Sequence, residues 1–156
     1  VNNALEGSGP VSPERAGTLP ARQLVDLCFS GDYTQEEIKK MITGRGGLMA
    51  HLGTTDARDV VKRINEGDAR AELVLKSMMY NIAKEIGSMS VVLHGKVDAI
   101  HLTGGISYND YCINKLKEYI AFIAPVYVFP GEDEMEALAF NALGALKGKL
   151  NCKEYY

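Results

Sequence analysis

Three short runs hold residue types able to do chemistry on an anion. Leu102-Thr103-Gly104-Gly105-Ile106-Ser107 leaves an alternating apolar stretch and enters a helical one, which puts a glycine pair where open α/β sheets bind ligands. Glycine there permits close backbone approach, and the amides of the following helix start favour a phosphate or a ribose oxygen. A tight turn with no ligand has the same spacing. Arg15 stands between Pro13 and Gly17 in a stiff loop, where its planar fork can meet phosphate or carboxylate oxygens or simply face solvent. Asp56 and Arg58 read locally as an N-cap aspartate and a solvated basic residue in the first helical turn.

Glu132, Asp133, Glu134 and Glu136 form an acidic cluster. Asp133 with Glu136 has capping-box spacing, and acids at a helix start are favoured by its dipole. The alternative is Mg²⁺, which needs only one or two carboxylates when phosphates supply the other oxygens. Other chemistries find no support. The chain lacks G-x-x-x-x-G-K-[ST], and no Ser/His/Asp or Cys/His pair is suggested by spacing. Cys28, Cys112 and Cys152 are far apart, without a C-x-x-C, which fits a reducing, cytoplasmic setting. His51, His94 and His101 lack the i, i+4 spacing of a helical metal motif.

The composition is that of one soluble globular domain: 156 residues, 46% apolar and 24% charged. A chain of this size buries roughly two thirds of its unfolded surface, so no staple is required. Seventeen basic against twenty acidic side chains give a net charge of -3, which offers no general field for nucleic acid or an anionic membrane. The longest apolar helical stretch is broken by Lys84 and Glu85, so no transmembrane helix is expected. The chain opens at Val1-Asn2-Asn3 without an initiator methionine or a leader, and is expected to be a piece of a longer protein.

Several elements must position these residues. A shaped loop covers residues 1–20, with a strand possible at Val1 to Leu5. Pro20 starts a helix with Leu24, Leu27 and Cys28 on its apolar face; Thr34 and Glu37 form a capping box for a second helix reaching Ile42. Gly44-Arg45-Gly46-Gly47 is a turn, an apolar piece runs from Leu48 to Leu52, and Gly53 to Asp59 opens another helix. Asp68 caps the longest helix, whose stripe of Ala71, Leu75, Met78, Ile82, Ile86, Met89 and Leu93 is expected to be core. Val97–Thr103 reads as a strand, Ser107 as the start of a helix through Tyr111, Ile113, Leu116 and Ile120, and Pro125–Pro130 as a second strand. A final helix runs from Asp133 to near Lys147. The order implies a parallel pair with a right-handed crossover, and no internal repeat or boundary interrupts it.

VNNALEGSGPVSPERAGTLP, LGTTDARDV, DAIHLTGGIS and APVYVFPGEDEMEALA together resemble the C-terminal portion of the acetate and butyrate kinase family, over essentially all 156 residues. SPERAGTLP and PGEDEMEALA favour its butyrate kinase branch. The resemblance implies an α/β fold: a partial, helix-rich copy of the actin-like, ribonuclease H-like nucleotide-binding domain of the acetate and sugar kinase superfamily. Residues 1–156 would be the C-terminal nucleotide-binding domain, with the N-terminal domain absent. The implied reaction interconverts acyl phosphate plus ADP with carboxylate plus ATP, using Mg²⁺, in a cytoplasmic homo-oligomer as the complete enzyme. By itself the fragment would be inactive.

Carried onto this chain, the family pattern makes Arg15 the arginine facing the acyl phosphate. Thr54, Asp56 and Arg58 match the nucleotide-pocket motif, Gly104, Gly105 and Ile106 the adenosine motif, and Glu134 the acidic position near magnesium. Acetate kinases have an aromatic residue where this chain has Ala57, and asparagine where it has Asp133. Alternative readings are a kinase for branched-chain or other short-chain fatty acids, or a non-catalytic nucleotide-binding or oligomerisation module.

Overall fold

Local sequence determines most of the helix ends. The structure, a computed structural model, describes residues 9–131 and 134–151. The strand expected at Val1 to Leu5 therefore lies outside the described residues, as do Glu132 and Asp133 with the cap assigned to Asp133. Helix α1 spans Ala21–Cys28 behind Pro20, and α2 spans Gln35–Ile42 with the predicted capping box complete. The Thr34 amide donates to the Glu37 carboxylate at 2.8 Å, and the Glu37 amide donates to Thr34 Oγ1 at 3.3 Å. The expected apolar face of α1 is only half realised: Leu24 and Leu27 are half-buried, whereas Cys28 is exposed. A two-turn helix at the surface offers little area to bury.

The apolar piece after the glycine turn is a helix, α3 (Gly47–Leu52), followed by α4 (Ala57–Asn65) and α5 (Ala69–Val92). Asp56 caps α4 and Asp68 caps α5. Strand β1 is Ile100–Leu102 and β2 is Val126–Val128; they pair in parallel, Ile100 opposite Val126. Between them lies α6 (Asp110–Ile120), and α7 (Glu134–Leu146) closes the order. The helix expected from Ser107 begins three residues later. Gly105–Tyr108 is a 3₁₀ turn, and Asn109, with extended backbone, caps α6 by accepting the Cys112 amide at 3.2 Å. An asparagine side chain serves both as a turn former and as a cap, so it sets the start that Ser107 was expected to set.

The core lies between α5 and the helices α4 and α6. Leu75, Met78 and Met79 of α5 are buried with Val60 of α4, Leu48 of α3, and Ile113, Leu116 and Ile120 of α6. Cys112 joins them, and burial pushes its thiol up to about 11, which leaves it unreactive at neutral pH. The predicted stripe is buried from Ala71 through Met78, half-buried against the core at Ile82 and Ile86, and fails at its end. Met89 and Leu93 are 43% and 53% exposed. With Ile82 and Ile86 they form one side of an open apolar groove of about 760 Å³. The groove runs beside β1, whose second edge has no strand partner among the described residues. Helix α7 is apolar along most of its length and largely exposed, including Met135, Leu138, Phe140 and Leu146.

Arg63 ties three helices together. Its Nη2 and Nε donate to Asp68 Oδ2 at 2.7 and 2.9 Å, and its Nη1 donates to the Leu52 carbonyl at 3.0 Å. The Ala71 amide and then Arg63 hold the Asp68 carboxyl below its ordinary range. A folded-state value below the unfolded one, about 3.9, means that Asp68 stabilises the fold above about pH 4 and that this contribution drains as pH falls through the folded value. Asp68→Asn keeps a capping side chain but deletes the charge. Urea unfolding across a pH series should show it less stable than the parent at neutral pH, with the gap closing as pH falls below the ordinary carboxylate range.

Candidate functional site

The loop carrying Arg15 is fixed by its backbone. The Glu14 carbonyl accepts the amides of Gly44 and Gly46 at 2.8 and 3.0 Å, and the Ala16 amide donates to the Ile42 carbonyl at 2.9 Å. Arg15 thereby bridges to Thr43. The turn below it must be glycine: a Cβ on Gly47 would overlap the Ser12 carbonyl oxygen, and the residue has φ +56°. The Arg15 side chain is half-buried and makes no ion pair among the described residues. A guanidinium on a rigid backbone, with its fork uncommitted among the described residues, suits an oxyanion.

A cavity of about 780 Å³ opens beside this loop. One wall is the start of α4: Thr55, Asp56, Ala57, Arg58 and Val61. The other is the 3₁₀ turn and the start of α6: Gly105, Ile106, Tyr108, Asn109, Asp110 and Tyr111. Its size falls within the range of small-molecule sites. It lies past the carboxyl end of β1, as expected for a ligand crevice in an α/β sheet.

The two glycines of the turn differ in kind. Gly104 has φ 86°, which an ordinary side chain rarely adopts. Its amide donates to the Gly131 carbonyl at 3.0 Å, tying together the segments that follow the two strands. Gly105 has no positive φ, and a Cβ there would meet nothing within 4 Å. The fold tolerates a side chain at Gly105, which lines both this cavity and the apolar groove beside α5.

On the opposite wall, Arg58 Nη2 donates to Asp56 Oδ2 at 2.6 Å and Nε lies 3.0 Å from both carboxylate oxygens. The guanidinium holds the Asp56 carboxyl below its ordinary range and the carboxylate raises the Arg58 value, so the pair stays ionised. Arg58 is nevertheless 86% exposed, with donors left for a ligand. Thr54 does not line the cavity. Its hydroxyl donates to Asp59 Oδ2 at 3.2 Å and accepts the Asp56 amide at 3.1 Å, which shapes the approach to α4.

Asp56, Arg58, Gly105 and Ile106 thus share one cavity. Gly104 stands one residue outside it, and Arg15 lies two residues from Pro13, which contributes to its rim. Glu134 is the first residue of α7, and its side chain lies outside the described part of the structure. Among the described residues no group of three His, Cys, Asp or Glu side chains is placed to hold a metal. Sequence reasoning missed Tyr108, Asn109 and Asp110; the available signal was the Asn109 cap, which moves the helix start and turns these residues towards the cavity.

Residues 9–123 match the model of the acetokinase family. A "probable butyrate kinase" of Bacteroides thetaiotaomicron is 63% identical over 99% of this chain, and one of Phocaeicola vulgatus is 57% identical over the same share. The chain spans 44% of the length of each. Among solved structures, the acetate kinase of Porphyromonas gingivalis superposes with a TM-score of 0.80 at 22% identity, over 90% of this chain and 41% of that one. The fold is accordingly the α/β fold of the acetate and sugar kinases in partial, helix-rich form. No described helix is long and apolar enough to cross a membrane. With a family match over most of its length and this shared fold, the chain belongs to the acetokinase family.

Proposed function

We propose that this chain is the nucleotide-binding, C-terminal side of a butyrate kinase, which moves a phosphoryl group between butyryl phosphate and ADP to give butyrate and ATP. The observation that carries the reading is the cavity that brings Gly105 and Ile106 together with the Asp56–Arg58 pair past the end of β1. The identity of the two relatives named for butyrate supports the acyl group. Uncovered apolar surface on α5 and α7 supports a longer protein that packs over it.

In this reading the cavity holds ADP, with Gly105 and Ile106 at the nucleoside and Arg58 supplying positive charge that Asp56 keeps in place. Arg15 faces the acyl phosphate from its fixed loop and meets the oxygens that gain negative charge as the phosphoryl group moves. Thr54 and Gly104 act as positioning residues through the α4 loop and the strand ends. Glu134 would hold Mg²⁺ together with the phosphates; the ion, when bound, neutralises phosphate charge during transfer. Transfer of this kind depends on positioning from both sides of a cleft, so the other side must come from the rest of the protein. Cytoplasmic location and a homo-oligomer complete the proposal.

The complete protein should form ATP from butyryl phosphate and ADP with a higher kcat/KM than from acetyl phosphate, in a coupled assay. Equal or better use of acetyl phosphate would overturn the butyrate assignment. Arg15→Ala in that protein should lower turnover by about 10²–10³, the usual consequence of losing one charge-stabilising donor. Gly105→Val should fold normally by circular dichroism, because the backbone permits it, and should bind ADP far more weakly in isothermal titration.

A further inference from the structure

Tyr108 is held more firmly than an exposed aromatic residue needs to be. On one side of it Ser107 is only 4% exposed and donates its hydroxyl to the Thr103 carbonyl at 2.7 Å. On the other, the Asn109 amide donates to the Ile106 carbonyl at 3.0 Å while its side chain caps α6. The backbone is therefore fixed at both neighbours, yet the tyrosine itself is 71% exposed. Its hydroxyl lies 2.9 Å from the place a Cβ on Gly131 would occupy, so the ring reaches from the turn after β1 to the segment after β2. Gly131, at φ +113°, leaves that space open.

The facing wall has the opposite character. Ala57 and Val61 of α4 line the cavity with small apolar groups and no ring. An aromatic ring in one wall and small apolar groups in the other suit a flat, π-faced group. Stacking of a base on an aromatic side chain needs no particular hydrogen-bond pattern.

We propose that Tyr108 is a base-binding residue of the nucleotide site: its ring is the wall on which the base of ADP or ATP stacks, with Ala57 and Val61 in the other wall. This rests on the nucleotide reading of the cavity. Stacking requires the ring and not the hydroxyl, so Tyr108→Phe should keep normal affinity for ADP and Tyr108→Ala should lose it.

The experiment is isothermal titration of the complete protein with ADP and, separately, with inorganic pyrophosphate, which has phosphates and no base. Tyr108→Ala should weaken ADP about tenfold or more and leave pyrophosphate unchanged. Adding Ala57→Phe to Tyr108→Ala should recover part of the loss, because a ring is then offered from the facing wall. Unchanged ADP affinity in Tyr108→Ala would overturn the proposal, and so would equal weakening of ADP and pyrophosphate, which is what a merely structural tyrosine would give. A parent protein that binds pyrophosphate but not ADP would remove the nucleotide reading and this proposal with it. A parent that binds ADP as tightly as its Tyr108→Ala variant removes this proposal alone.

Discussion

Leu75, Met78 and Met79 are almost completely withdrawn from water because α4 and α6 both close on the first half of α5. Each such side chain contributes roughly 1.5–3 kcal/mol on burial, so this seam dominates the packing of the described chain. It also fixes the site. The wall with Asp56 and Arg58 is the first turn of α4, and the wall with Asn109 and Asp110 is the first turn of α6. Two helices that share one core helix hold their N-terminal ends at a set separation without touching across the cavity. Arg63, joined to Leu52 and Asp68, keeps α4 from sliding along that seam.

The second half of α5 shows what periodicity alone does not report. Ile82, Ile86, Met89 and Leu93 continue the spacing of Leu75 and Met78, so the sequence marks one continuous apolar face. Spacing identifies the face and is silent on what covers it. Here the cover ends near Ala83, and the same stripe passes from core to groove wall. Helix α7 repeats the lesson: it is apolar around its circumference, a pattern that belongs to a buried helix, yet most of it is exposed among the described residues.

What was legible from sequence was set within about four residues of chain. The Thr34–Glu37 box and the caps at Asp56 and Asp68 depend on a side chain reaching the next turn, and all three form as read. The parallel pairing of β1 with β2 also followed, because a strand, a helix and a strand leave few other arrangements. Two features were misread for different reasons. At Ser107 a rival cap two residues on, Asn109, took the helix start, whereas at Cys28 the local pattern gave an apolar face but nothing among the described residues buries it. Tyr108 was not legible as part of a wall, since the space for its hydroxyl is made by Gly131, far along the chain.

The glycine pair carries both kinds of information in adjacent positions. Gly104 is required by the fold, because its left-handed φ lets the amide turn back to the Gly131 carbonyl and hold the strand ends together. Gly105 is required by nothing in the fold. Its backbone suits any residue, and the space a side chain would fill is empty. Helix and turn propensities cannot separate the two, since both are small residues in one turn. A side chain at Gly104 would be resisted by the chain's own conformation, whereas one at Gly105 would be resisted only by whatever enters the cavity. Within the pair, the fold's own demand therefore falls on Gly104 alone.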